Sequence, residues 1–479
     1  MITIDFNKRG NTGLGEYIYE CIKKNIKKGV LGHEEKLPSK RALAEHLGVS
    51  VITVQNAYGL LIDEGWIYSV EKKGFFVSDS SVIPVAEKNP AKKMYVEKYK
   101  APKKEKELIA DFTSSSCGVN KFPFALWARL TREILNTQNE RLLARCNAFG
   151  LPELRKAIAR YLLEFRGMIV DENQIVIGAG TESLYAMIVQ LLGKNSIYAV
   201  ENPGYHKVGK IIELNGAECV HINIDLEGLN PELLEKQNAD VVHVSPLHHF
   251  PTGIVMPVWR RNELLKWASE KKDRYIIEDD YDSEFRFTRK PLPTLQSSDF
   301  NGKVIYINTF SKTLAPSFRM SYMVLPQELV QLYQSRLGIY SCAVSTLEQF
   351  TLAEFISKGH YGKHITRMKN YYRTLRNDLI RELNRSRLSS IAEIHEAEAG
   401  LHFLLEVPAR LDDEKIRQLL LKKGIRISML KDFYYDGKSI PYENRCIFVM
   451  NYSALKKEQI PLTVKIMEKI ITGSSIRPE

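Results

Sequence analysis

The sequence predicts a small N-terminal winged helix-turn-helix joined by a charged linker to a large α/β domain with a mostly parallel sheet. Three observations predict it. Two short apolar-faced segments flank a single glycine near residue 48, and a pair of β-rich strings follows them. From Ser81 to Leu108 the chain carries eight lysines and few large aliphatics. Beyond that, short β-rich strings alternate with helical patterns to near the C-terminus, the signature of strands and crossover helices in a parallel sheet.

At 479 residues and 44% hydrophobic content the chain can bury more than one core, since single cores stop growing near ~250–300 residues. The expected division is 1–80 for the helix-turn-helix, 81–108 for the linker and 109–479 for the α/β domain. Net charge is +11, of which residues 1–80 contribute only +1, residues 81–108 contribute +4 and the remainder +6. Charge alone therefore does not nominate the N-terminus as a nucleic-acid reader; motif and geometry must. Six cysteines lie far apart, with no C-x-x-C pair and no Cys/His cluster at zinc spacing, so free buried thiols and no metal are expected. No apolar run approaches the ~20 residues that span a bilayer, and the N-terminus lacks a cleavable apolar leader, which predicts a cytoplasmic protein without membrane contact.

In the N-terminal segment, Ile18, Ile22 and Ile26 recur at helical spacing and Gly29 supplies a C-cap. Ser39 can cap a second helix with Leu43, Ala44 and Leu47 inward; Gly48 turns the chain; Ser50 can cap a third with Val54, Ala57, Tyr58 and Leu61 inward. Two helices joined so tightly form a helix-turn-helix. The third leaves Thr53, Gln55 and Asn56 outward, short polar groups that reach bases or phosphates in a major groove. WIYSVEKKGFFV then alternates around Lys72-Lys73-Gly74 as a wing with a basic tip. For any single Thr or Gln the ordinary reading is a solvated helix face; the whole constellation shifts the balance.

Over about seventy residues this pattern (PS-x-R, LA, L-x-VS, TV, L-x-x-x-G, glycine-bearing wing) resembles the GntR superfamily of winged helix-turn-helix regulators. The resemblance implies double-stranded DNA contacts by Ser39, Arg41, Ser50, Thr53 and Gln55, with Lys73 and Gly74 in the wing. The family commonly has Arg after the capping serine, where this chain has Val51.

In the large domain, chemistry is expected where parallel strands end. QIVIGAGTES leads through a glycine turn to Thr181 and Glu182 at a helix start, where free N–H groups can hold phosphate. RYIIEDDYDSEF places Asp279 and Tyr281 past a strand. VIYINTFSKTLAPSFR places Thr309, Ser311 and Lys312 past another, with Arg319 downstream, and SIYAVENPGY leaves Tyr205 beyond a fourth. Each alone is weak, since Ser-Lys and Asp-Asp pairs are usually surface features. Together they supply an amine for a Schiff base, a carboxylate for a pyridine nitrogen, phosphate donors, a phenol and a ring to stack, the parts that pyridoxal phosphate needs.

The strings GLPELRKAIARYL, ENPGY, HHFPTG, IEDDYDSEFRF, TFSKTLAP and AGLHF resemble fold-type I aminotransferases and, over nearly the whole chain, the MocR/GabR-type regulators. That resemblance implies a fold-type I, pyridoxal 5′-phosphate-dependent domain in which Lys312 forms the internal aldimine and Asp279 pairs with the pyridine nitrogen. It implies further that Tyr281 bonds the ring hydroxyl, Tyr205 stacks on the ring, and Thr181, Glu182, Thr309, Ser311 and Arg319 surround the phosphate. His248 is a further cofactor candidate. In the GABA-responsive branch an arginine two residues after the stacking tyrosine holds the ligand carboxylate; here Lys207 stands there. Where the second would align, the chain offers Lys431 or Asp432, and Arg426 and Arg445 are further cationic candidates for the effector. A lysine lacks the bidentate fork, so an amino compound other than GABA is expected.

Three functions stay open at this point. The first is a homodimeric transcription regulator that senses an amino compound, or the cofactor itself, through an external aldimine without sustained turnover. The second is a working aminotransferase with an added DNA-binding module. The third is a helix-turn-helix on a dead dimerisation scaffold, which the intact Lys312 and Asp279 argue against.

Overall fold

The computed structural model describes residues 2–10, 12–79, 108–114, 121–287, 292–395, 398, 400–408, 413–436 and 445–473. The expected linker, except for Leu108, and Cys117 lie outside the described residues. The chain divides into two compact units, Met1–Glu105 and Lys106–Glu479.

In the first unit, α1 (Leu14–Lys27) buries Ile18, Ile22 and Ile26, as their spacing requires. After a short strand β1 (Lys36–Leu37), α2 (Lys40–Leu47) starts at Ser39, whose hydroxyl accepts the Ala42 N–H at 3.2 Å. It ends at Gly48 with φ 65°, a left-handed turn that a side chain would oppose. Helix α3 (Val51–Asp63) is capped in the same way by Ser50, which accepts the Thr53 N–H at 3.1 Å. The three helices share one core through Leu43, Ala44, Val54, Ala57, Tyr58 and Leu61, and the Tyr58 hydroxyl donates to the Pro38 carbonyl at 2.9 Å. The wing is the antiparallel pair β2 (Ile67–Val70) and β3 (Gly74–Val77), with Lys73 exposed in the turn. Strand β1 adds a third antiparallel rung to β3. Two residues are too few to show a period, so the sequence carried no sign of it.

The second unit opens with β4 (Ala110–Asp111), followed by helices α4 (Phe124–Thr137), α5 (Asn139–Leu143) and α6 (Pro152–Arg166). Next come β5 (Ile175–Gly178), α7 (Thr181–Leu192), β6 (Ile197–Asn202), β7 (Glu218–Asn223), β8 (Val241–Val244), β9 (Tyr275–Asp279), β10 (Val304–Thr309) and β11 (Ser321–Val324). These seven strands form one sheet in the order β5-β11-β10-β9-β8-β6-β7, parallel except for β11. Near-continuous burial of β5, β8, β10 and β11 reflects helices on both faces. A separate antiparallel sheet follows, β12-β13-β16-β15, built from β12 (Glu393–His395), β13 (His402–Pro408), β15 (Ser428–Met429) and β16 (Arg445–Asn451); the intervening β14 (Ile425–Arg426) pairs with β4 in parallel. Among the described residues no helix is long and apolar enough to cross a membrane.

The serine caps carry a measurable load. Ser50→Ala should destabilise α3 by about 1 kcal/mol, read as faster hydrogen exchange of the Thr53 amide in the full-length protein. Unchanged exchange would mean that the cap does not hold the helix start.

Candidate functional site

The loops that leave the carboxyl ends of β5, β6, β8, β9 and β10 converge on one cavity of about 350 Å³. Its lining includes Thr181, Glu182, Tyr205, Lys207, Asp279, Tyr281, Thr309, Ser311, Lys312 and Arg319. Every residue that the sequence placed around the cofactor is therefore in one place, with the exception of His248.

Strand alternation explains Asp279. Its neighbours Glu278 and Asp280 point away from the cavity: Glu278 accepts the Leu295 and Gln296 amides at 2.8 and 2.9 Å, and Asp280 meets Arg166 and the Tyr306 hydroxyl. Asp279 faces the other way. Its Oδ2 accepts from the Tyr185 hydroxyl at 2.7 Å and lies 3.6 Å from His243 Nε2, while its buried Oδ1 has no hydrogen-bond partner. A buried carboxylate oxygen without a donor is costly, and a protonated pyridine nitrogen is a donor of the right chemistry. The donor set thus fits pyridoxal phosphate.

Lys312 lies on the same cavity. Desolvation holds its ammonium below the usual lysine range, partly offset by Asp282 and Asp279. Burial thus favours the neutral amine, the form that attacks a carbonyl.

At the opposite wall, α7 begins at Gly180 with φ 88°, and a Cβ there would come within 2.7 Å of Arg319 Nη2. Glycine is needed both for the turn and for the arginine's approach. Glu182, in the first turn of α7, pairs with Arg319 and, at 2.7 Å, with Lys207. The Thr309 hydroxyl donates to Ser311 Oγ at 3.0 Å and accepts from Ser321 at 2.8 Å, which fixes the loop before Lys312. Tyr205 is 48% exposed and presents an edge to Phe250 at 6.1 Å. The loop that carries it is held by Gly204 N–H to the Phe433 carbonyl at 3.0 Å and by Tyr435 N–H to Asn202 Oδ1 at 2.9 Å.

Four expectations change in space. His248 does not line the cavity; its Nδ1 sits 3.1 Å from both the Tyr281 hydroxyl and Asp282, so it holds Tyr281 from behind. Gly400 makes room for it, since a Cβ at that left-handed position (φ 69°) would collide with the His248 ring. Arg426 pairs with Asp111 at 3.3 Å and does not line the cavity. Arg445 is exposed at the far end of β16 and pairs with Glu406 at 2.5 Å, whereas the cavity is met by Asn451 at the other end. Lys431 and Asp432 are held by Asp413 and Arg417, both at 3.0 Å. Of the effector candidates only Lys207 reaches the cavity.

Sequence reasoning missed Tyr185, Glu201, His243 and His249. Tyr185 was within reach, because it falls one helical turn after Thr181 on the same face of α7. Glu201 belongs to the ENPGY string but reads as a solvated carboxylate. In fact it is buried, accepts the Ser245 N–H at 3.0 Å and lies 3.5 Å from His249 Nε2. Burial pushes its carboxyl up to about 8, with Asp279 adding to the rise and the Ser245 N–H opposing it. Burial, with His248 and His243 nearby, lowers His249 to about 3.

On the first unit, the expected DNA face divides. Arg41, Gln55, Asn56 and Lys73 are exposed. Ser39 and Ser50 cap helices, and the Thr53 hydroxyl is 2.8 Å from Ser50 Oγ, so these three hydroxyls are engaged within the fold. Gly74 (φ 115°) starts β3 and turns the wing.

Residues 14–77 match the family of bacterial regulatory proteins of gntR type, and residues 116–444 match aminotransferase class I and II. The chain is 35% identical to the uncharacterized HTH-type transcriptional regulator YdeL of Bacillus subtilis, over 89% of this chain and 91% of that one. It is 30% identical to the probable rhizopine catabolism regulatory protein MocR of Rhizobium meliloti (87% and 86%). It is 26% identical to the pyridoxine biosynthesis regulator PdxR of Corynebacterium glutamicum (90% and 91%). Among solved structures, an archaeal alanine:glyoxylate aminotransferase superposes with TM-score 0.67 at 23% identity, covering 77% of this chain and 92% of that chain. The α-aminoadipate aminotransferase LysN of Thermus thermophilus gives 0.65 at 22%, covering 76% and 92%, which establishes the shared fold.

The buried pair in the cavity makes stability depend on pH. Glu201, raised in the fold, contributes stability that is present below its unfolded value near 4.5 and lost as pH rises toward about 8. His249, lowered in the fold, contributes above 6.5 and loses its contribution as pH falls below that. Between pH 6.5 and 8 the Glu201 contribution alone of this pair changes. Thermal midpoints of cofactor-free protein should therefore fall across that window, and fall less in Glu201→Gln. Equal slopes for the two proteins would refute the assignment.

Proposed function

The chain belongs to the MocR-type helix-turn-helix transcriptional regulators, and on that premise we propose that its large unit binds pyridoxal 5′-phosphate and an amino-compound effector while its N-terminal unit reads double-stranded operator DNA. The observation that carries this reading is the meeting, on one cavity, of the Lys312 amine, the Asp279 carboxylate with an unpartnered oxygen, and the start of α7 beside Arg319. When bound, pyridoxal phosphate supplies an electrophilic carbonyl that captures amines. The protein's part is positional and electrostatic. Lys312 offers an amine whose charged form burial disfavours. Asp279, oriented by Tyr185 and His243, holds a proton at the pyridine nitrogen, and Tyr281, backed by His248, orients the ring hydroxyl. Thr181, Ser311 and Arg319, with Thr309 and Glu182 fixing the surrounding loops, receive the phosphate at a helix N-terminus. Tyr205 covers the ring.

Lys207 is the effector contact, a point charge rather than a bidentate fork, which supports an amino compound that is not GABA. The similarity to PdxR, named for pyridoxine biosynthesis, supports the cofactor level as the alternative input. The fused DNA reader favours regulation over turnover, because prolonged occupancy by the amine carries a signal that rapid product release would erase. The functional species is a homodimer, on the family's precedent of building this site at a subunit interface. Two heads then bind paired half-sites with an avidity set by their spacing, and an effector shifts that spacing only through different affinities for two dimer states.

Lys312→Ala should abolish the near-visible absorbance of bound pyridoxal phosphate and the borohydride-stable pyridoxyl adduct at position 312. An unchanged spectrum would take the role from this lysine. For the dimer, operator half-sites should be moved apart by half and whole helical turns, with and without effector. Affinity should alternate with helical phase and the effector should change the preferred phase, whereas indifference to spacing would refute the two-headed arrangement.

A further inference from the structure

Helix α3 turns an unusual set of side chains outward. Val54, Ala57, Tyr58 and Leu61 are buried on its inner face. The opposite stripe is Ile52, Gln55, Asn56 and Gly59, at i, i+3, i+4 and i+7. Ile52 is 71% exposed and the adjacent Val51 41%, both in the first turn. Gln55 and Asn56 are exposed, and neither side-chain amide has a hydrogen-bond partner among the described residues. A Cβ on Gly59 would meet nothing within 4 Å, so the stripe ends in bare backbone. The Ser50 and Thr53 hydroxyls, which could have read bases, are bonded to each other at 2.8 Å. From Val51 to Asp63 there is no lysine, arginine or histidine.

That inventory has a definite meaning in a major groove. Guanine is read most often by arginine or lysine at O6 and N7; adenine by Asn or Gln at N6 and N7; thymine by apolar contact with its C5-methyl group. This stripe lacks the guanine readers and holds the other two. A single exposed isoleucine is ordinary on any surface. Here it shares one stripe with two unpartnered amides at the start of the helix that enters the groove, while Arg41 and Lys73 on other elements remain for phosphates. We propose that α3 reads an A·T-rich half-site, with Ile52, flanked by Val51, against thymine methyl groups and Gln55 and Asn56 on adenine edges. This rests on the DNA-binding reading above and specifies its target.

The test uses the full-length protein and a library of random-sequence duplexes. Retained duplexes should share a half-site whose central pairs are A·T. In that half-site each thymine is then replaced by deoxyuridine, which removes only the methyl group, and each adenine by 7-deazaadenine, which removes only N7. One deoxyuridine should weaken wild-type binding about fourfold, the worth of one buried methyl, and should weaken Ile52→Ala clearly less. One 7-deazaadenine should weaken wild type about tenfold and leave Gln55→Ala or Asn56→Ala unchanged. Because the altered atoms are in the DNA, the wild-type arm does not depend on how any variant folds. A half-site centred on G·C pairs, or a deoxyuridine penalty undiminished in Ile52→Ala, would overturn the assignment while leaving DNA binding intact. Retention of no duplex would overturn the DNA-binding reading and this inference with it.

Discussion

Five carboxylates, Glu278, Asp279, Asp280, Asp282 and Glu284, are gathered at and just beyond the end of β9, in the middle of the large sheet, and the site depends on how each is compensated. A charge taken out of water is tolerated only with donors or an opposite charge. Glu278 takes two backbone amides from the 294–296 loop, Asp280 takes Arg166 and Tyr306, and Asp282 takes His248 and the Leu401 N–H at 3.3 Å. Burial and Asp280 push both Glu278 and Glu284 up to about 7, so a proton shares in their compensation. Each partner comes from a different element, so the carboxylates act as a hub that ties α6, β10 and the β8 loop to one strand. Asp279 and Glu284 each keep a buried oxygen without a partner, and of the two only Asp279 lines the cavity. Asp279 thereby offers its free oxygen to a ligand, whereas Glu278, Asp280 and Asp282 are met by donors within the fold and Glu284 does not line the cavity.

The opposite wall follows a different logic. There the charges are paired at the surface of the cavity, where solvent screens them and their net worth is small. Glu182 holds Arg319 and Lys207 together at the start of α7. These pairs contribute little to stability and can exchange partners cheaply, which suits a place where an anion must enter. The rigid carboxylate hub and the exchangeable ion-pair wall thus divide the cavity into a half that positions and a half that adapts.

In the N-terminal unit the same accounting explains which side chains remain to meet DNA. A helix start needs acceptors for its free N–H groups, and Ser39 and Ser50 supply them. The hydroxyls closest to the turn are consumed by folding, so the proposed readout falls to the outward stripe of α3, whose amides have nothing to bond within the unit. The gntR-type match over residues 14–77 describes the scaffold that presents this stripe.

Much was legible in the sequence because periodicity and strand-end position are local. The apolar spacing of Ile18, Ile22 and Ile26, the serine caps and Gly48 all state their role within one or two turns of chain. Lys312, Asp279, Tyr281 and Arg319 could be assigned to one cavity because the loops that line a parallel sheet's crevice leave from strand ends, a rule that needs no coordinates. What the sequence could not decide was which polar groups face each other across elements. His248 and Glu201 look alike as loop or strand-end polar residues, yet packing put one behind Tyr281 and the other in the cavity wall with a raised carboxyl. Arg426 and Arg445 were plausible ligand contacts until Asp111 and Glu406 claimed them, because an arginine's reach of several ångströms makes its partner a matter of tertiary neighbours. Local order was determined by the chain; solvation and partnership were decided by the packing, since both depend on what lies within a few ångströms in space rather than a few residues in sequence.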